Sequence, residues 1–288
     1  MKVDITTLYV CLDDFCKLYE SSLKSKALPA SGARQRQGYL SLSEMLLIEI
    51  LYHFSQYKNF KYFYLHDILG RHRHNFNKLP CYDRFIALKK QLFMPLSLLL
   101  HSLSGEATGL YFADSTPLKV CHNKRINNHK VFDSLAARGK STMGWFFGFK
   151  LHIVINHKGQ LIAVKITPGN IDDRLALEEM VKHLRGKCYA DKGYIGQKIF
   201  QKLWSQGLHL ITGIRRNMKN HLIPFIDKSL LRKRFIIETI FGVMKTDFNL
   251  EHSRHRSPIN AFVSILACLV AYCYKTDKPK IKAFLIEA

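Results

Sequence analysis

Acidic residues are scarce in this chain: of 288 residues, 22 are Asp or Glu against 44 Lys or Arg, a formal charge of +22. Such an imbalance calls for a polyanionic partner, with nucleic acid the first candidate. Long apolar runs are missing as well. The longest, AFVSILACLVAYCY from Ala261, has 14 residues, short of the ~20 that span a bilayer. It reads as a buried helix with Ser257 as N-cap and Pro258 at the first helical position. The N-terminal MKVDITTLYVCLDDFC lacks the apolar core of a secretion signal and carries Asp4, Asp13 and Asp14. Seven cysteines, an odd number at irregular spacing, form no disulfide framework and fit a reducing compartment. The expected location is cytoplasmic, with no membrane partner.

What is present suffices for a sizeable core, at 47% hydrophobic content. The charge is uneven. Residues 1–110 hold 14 basic and 9 acidic residues, and the remainder holds 30 and 13. Up to about residue 105 the pattern is helical, with LSLSEMLLIEILYHF and YDRFIALKKQLF showing apolar residues at three-and-four spacing. SKALPASGARQRQGY, with Pro29, Gly32, Arg34 and Arg36, reads as a basic loop. A DNA-contacting module and an ordinary helical bundle fit residues 1–105 equally well.

From Leu110 the pattern changes. GLYFADST is an apolar run ending at Asp114, and WFFGFKLHIVIN with LIAVKIT reads as a hairpin turned at NHKGQ. DDRLALEEMVKHL is a helix, KCYADKGY a short strand ending at Asp191, IGQKIFQKLWSQG a helix, and HLITGIR a last strand. LLRKRFIIETIFGVMKTDF is one long helix. Residues 106–288 therefore form an α/β domain, a mixed sheet flanked by helices, behind an all-helical N-terminal domain.

Three carboxylates stand out. Asp114 and Asp191 each end a strand, where α/β sheets bind ligands, and Glu238 sits among Phe235, Ile236, Ile237, Ile240 and Phe241 on a core-facing helix. Three carboxylates that converge repel one another and need a cation. Hard oxygens without a His/Cys cage suit Mg²⁺, with Mn²⁺ as a substitute. Such ions stabilise an in-line displacement at phosphorus, for which DNA is the obvious phosphate. At about 100° per residue, Arg234, Glu238 and Lys245 share one helical stripe.

These residues resemble the DDE insertion-sequence transposases of bacteria, whose catalytic domain is RNase H-like. FADST, YADKGY and IIETIF match in order and setting. Around the Glu that family shows Tyr, two residues, Arg, three residues, Glu, six residues, Lys; Arg234, Glu238 and Lys245 fall at those spacings, whereas the Tyr position holds Leu231. GFKLH (148–152) and GNIDDR (169–174) also look like family segments. The resemblance covers about residues 110–256. It implies Asp114, Asp191 and Glu238 as catalytic metal ligands, contact of Lys245 with DNA, and Arg234 positioning phosphate or Glu238. It further implies cleavage of the element's ends in double-stranded DNA, strand transfer of the 3′-OH, a homodimer on DNA, and a nucleoid location.

DNA contacts are expected from Lys150, Lys192, Tyr194, Arg215, Arg216, Arg232, Arg234, Lys245, Arg254 and Arg256. Lys192 and Tyr194 read equally as an exposed βα loop. A further basic cluster holds Lys124, Arg125, Lys130, Arg138 and Lys140. Asp172 and Asp173 rival Asp191 as ligand but read as caps of the helix beginning there, and His152 stays outside the site. RGKST lacks the first Gly of a phosphate-binding loop, which holds Ser134, so no nucleotide cofactor is expected. Cys121, His122 and His129 lack a partner pair at zinc spacing. The alternatives are an RNase H-like nuclease without strand transfer and a transposase-derived DNA-binding protein whose chemistry has lapsed.

Overall fold

A computed structural model describes residues 4–26, 38–215, 218, 223–251 and 255–281. The basic loop with Pro29, Gly32, Arg34 and Arg36 lies outside the described residues, as do Arg216 and Arg254. The chain divides into two units: Met1–Leu103 with Met244–Leu250 and His255–Tyr274, and Ser104–Val243 with Glu251–Arg254 and Lys275–Ala288.

In the first unit α1 (Ile5–Lys26) begins where the Asp4 carboxylate accepts from the free Thr6 and Thr7 amides. The second helix, α2 (Leu42–Phe54), starts on a capping box of Ser41 and Glu44. Next come α3 (Phe60–Tyr62) and a π-helical stretch, Phe63–Arg71. The segment expected as one helix after Pro80 is α4 (Tyr82–Leu88), a 3₁₀ turn and α5 (Phe93–Ser102). The C-terminal helix, Pro258–Cys273, packs on α2 and α5. It belongs to this helical unit, not to the α/β unit in which the sequence placed it, because its apolar surface needs helices to cover it.

The second unit is a six-stranded sheet of β1 (Leu110–Cys121), β2 (Ala137–Ser141), β3 (Gly144–Asn156), β4 (Leu161–Pro168), β5 (Gly186–Ala190) and β6 (Leu208–Thr212). β1 pairs antiparallel with β3 and parallel with β5, which pairs parallel with β6. The far edge of β3 is shared: β2 takes residues 144–148 and β4 takes residues 149–155. Leaving β2 aside, the order β4–β3–β1–β5–β6 is the RNase H-like sheet. Two helices, α6 (Asp173–Met180) and α7 (Gln197–Ser205), cover one face, closing a core of Tyr111, Ala113, Val154, Leu177, Cys188 and Leu203. On the other face Phe112 stacks on Tyr189, whose hydroxyl donates to Asp227 of α8 (Phe225–Arg232) at 2.7 Å.

Two expectations about this unit need correction. β1 does not end at Asp114 but runs seven residues further, because β3 continues to pair with it after β5 has ended. The strand bends near Gly148, where the register shifts between Lys119 and Cys121; φ there is +155°, and a Cβ would lie 2.1 Å from the Leu118 carbonyl oxygen, so only glycine fits. The long helix expected around Glu238 is broken at Lys233 and Arg234 into α8 and α9 (Phe235–Thr246). Its apolar residues divide by face: Ile236, Ile237, Ile240 and Phe241 are buried while Glu238 is exposed. Glu238 is thus no intruder in a core, but the outward side of an amphipathic helix.

Candidate active site

The parallel pairing of β1 with β5 ends at Ala113 opposite Ala190. Asp114 and Asp191 are the next residue on each strand, at the point where β1 stays with β3 and β5 turns into the 3₁₀ segment Lys192–Tyr194. The side chain of Asp114 points with Phe112 to the face bearing α8. Glu238 lies in the first turn of α9, where free amides favour an anion.

Arg234 joins the three. Its Nη1 donates to Asp114 Oδ2 at 3.0 Å, and its Nη2 donates to Glu238 Oε1 at 3.3 Å and lies 3.6 Å from Asp191 Oδ1. The break between α8 and α9 sets this guanidinium at the head of α9, where it can face both strands. Asp114 is the most enclosed carboxylate, its side chain 20% exposed against 55% for Asp191 and 59% for Glu238. Burial pushes its carboxyl up from 3.8 to about 6, opposed by the Ser115 amide and Arg234 and reinforced by Asp191 and Glu238.

The donor set suits a hard divalent cation: three carboxylates already converge on one positive charge, and no thiolate or imidazole competes. Yet among the described residues no three His, Cys, Asp or Glu side chains close on one another to metal-holding distance. The Arg234 guanidinium is the positive charge that the three share.

A second polar cluster lies on the opposite face of β1 and β3. Asp173 accepts from Ser115 Oγ at 3.2 Å and from Lys150 Nζ at 2.8 Å, and Lys150 also donates to the Ile171 carbonyl at 2.8 Å. Lys150, expected on DNA, therefore acts as an internal brace with two of its three donors engaged. Asp172 caps α6 through the Arg174 amide as expected, whereas Asp173 does not cap. His152 is buried and bonded to Thr167 at 2.8 Å; burial holds its imidazole well below the ordinary 6.5. Ser115 and Asp173 were not read as a pair in the sequence, since 58 residues separate them.

Tyr194 also departs from expectation. It is 3% exposed in the core beneath α6 and α7, so its ring cannot stack on a base. Lys192, Arg215 and Arg232 are exposed, and Arg215 donates to the carbonyl of Lys192, the residue after Asp191, at 3.3 Å. Lys245 follows Glu238 by about two turns of α9, and Arg256 is exposed ahead of the C-terminal helix. No helix of the described residues is long and apolar enough to cross a membrane.

Comparison with known proteins bears on this arrangement. No curated protein matches the sequence. A solved structure described as the piggyBac transposase synaptic complex with hairpin DNA is similar, with a TM-score of 0.54 at 10% identity over 94% of this chain and 74% of that one. At that identity the likeness is one of fold. Residues 104–258, more than half the chain, match the family described as the transposase DDE domain, and the match takes in Asp114, Asp191 and Glu238. The chain belongs to the DDE transposases.

Proposed function

We propose that the protein is the transposase of an insertion sequence, which cleaves the ends of its element and joins the freed 3′-OH to target DNA. The observation that carries this reading is the convergence of Asp114, Asp191 and Glu238 on Arg234. Enzymes with this domain use divalent metal ions; here Asp114, Asp191 and Glu238 would hold Mg²⁺. When bound, the metal supplies the charge that activates water at neutral pH and stabilises the attacking and leaving oxygens.

The chain's own residues do the remaining work. Asp114, set on a paired strand, fixes one end of the site rigidly. Asp191 and Glu238, more exposed, meet it from a strand end and a helix start. Arg234 has a planar fork that matches phosphate as well as carboxylate. A phosphodiester entering the cleft can draw the guanidinium off the carboxylates, so Arg234 positions the scissile phosphate. Lys192 and Arg215 hold neighbouring phosphates.

The carboxylates, each contributed by a different element, act together only in the folded unit. A homodimer acting on paired ends belongs to the proposal, supported by the synaptic complex formed by the structurally similar piggyBac protein. The test is incubation of full-length protein with Mg²⁺, DNA bearing the inverted repeats that flank its gene, and a supercoiled target. Cleaved and joined products support the reading. Cleavage without joining would make the protein a nuclease, and end binding without cleavage would make it a lapsed transposase.

A further inference from the structure

The segment from Lys119 to Lys150 holds seven basic residues and one acid, Asp133. Six of them are exposed, and of these Lys124, Arg125, Arg138 and Lys140 lie on β2 and on the turn that follows β1, with no part in the carboxylate site. β2 and β3 form a hairpin closed by Ser141 Oγ donating to the Gly144 carbonyl at 3.1 Å. Lys140 is opposite Trp145, its Nζ 5.8 Å from the ring, and Arg138 is opposite Phe147, so Arg138, Lys140 and Trp145 share a face. Met143, at the tip, is 87% exposed, and Trp145 is 62% exposed. A 3₁₀ turn, Asn123–Asn128, bearing Lys124 and Arg125, is tied to this hairpin by Asn123 Nδ2 donating to the Trp145 carbonyl at 2.8 Å.

The hairpin's reverse face is closed. Gly139 approaches so near that a Cβ would lie 2.2 Å from the Gly169 carbonyl oxygen, and Phe146 is buried beside it. The basic face therefore cannot turn inward. Trp145 precedes Ile153 on β3 by an even number of residues, so both point to one side, and Ile153 is the register partner of Asp114. Basic hairpin and catalytic carboxylate thus lie on one face of the sheet. At about 3.4 Å per residue, they are separated by about 27 Å.

We propose that this hairpin and the 123–128 turn grip duplex DNA about eight base pairs from the scissile phosphate, taking about 3.4 Å per base pair. Lys124, Arg125, Arg138 and Lys140 hold phosphates, while Met143 and Trp145 enter the groove as an apolar wedge, as such side chains do where proteins part a base step. Charge selects this occupant: the strip is basic and the duplex is the polyanion this enzyme handles. The inference rests on the transposase reading.

The test is fluorescence anisotropy of the full-length protein on a fluorescein-labelled duplex of about 30 base pairs, from about 50 to 200 mM salt. The double variant Arg138→Gln/Lys140→Gln should weaken binding about tenfold and reduce the salt slope by about two. Lys140→Glu should weaken it further, and Met143→Gly should weaken binding without changing the slope. An unchanged slope and affinity in the double variant, against a strongly salt-dependent wild type, would overturn the hairpin's role and leave the transposase reading standing. A wild type that binds no duplex would overturn both.

Discussion

Arg234 donates to Asp114 at 3.0 Å although 120 residues separate them in the chain. Each side chain is about one-fifth exposed, so solvent screens the pair less than a surface ion pair. Arg234→Gln should lower the stability of the metal-free protein by roughly 1.5–3 kcal/mol, the range for a hydrogen bond to a charged group, as read by urea unfolding. It should also tighten divalent-ion binding by calorimetry, since the internal cation no longer competes. If neither quantity moves, the bridge holds nothing together.

Stability against pH should separate two groups whose pKa burial shifts. Asp114 is raised from 3.8 to about 6, so the folded state holds its proton more tightly than the unfolded chain does. That contribution is complete below about 3.8 and is lost as pH rises through about 6. Relative to Asp114→Asn, metal-free wild type should lose roughly 3 kcal/mol across that window. His152, depressed by burial, acts in the opposite sense: its contribution is complete above 6.5 and is lost as pH falls below that value. His152→Gln should flatten the acid limb of the unfolding curve; a variant with the wild-type limb would contradict the assignment.

Tyr194 distinguishes a structural role from a DNA contact. Its ring is buried, so Tyr194→Ala should destabilise the fold by roughly 3–5 kcal/mol. Tyr194→Phe keeps the ring and should leave duplex affinity unchanged in a filter-binding assay. A loss of affinity in the Phe variant at unchanged melting temperature would restore the contact that its place beside Asp191 suggested.

How much of this was legible in the sequence depended on the range of the interaction. The β3–β4 hairpin, α7 and β6 are local patterns of period and turn, and their residues announced them. Asp191 was readable for the same reason, since an apolar run stops at it. The run at Asp114 also stops, but β1 continues as a strand because β3 pairs with it, and a partner 39 residues away leaves no mark on local periodicity. The break at Lys233–Arg234 was hidden because apolar spacing continues through it, and with it went the correct face of Glu238. The family spacing found Arg234 without showing that it touches all three carboxylates. Lys150 and Tyr194 looked like surface groups because their partners come from α6 and from the core, distant in sequence.

Iron-directed cleavage puts the central claim, that Asp114, Asp191 and Glu238 form one metal site, to the most direct test. Fe²⁺ takes the place of the divalent ion, and ascorbate with peroxide then cuts the backbone next to wherever it is bound. Fragments should map to three places, near residues 114, 191 and 238, should disappear with excess Mg²⁺, and should be lost together in Asp114→Asn. Cuts confined elsewhere, or cuts at these places that persist in Asp114→Asn, would contradict the site.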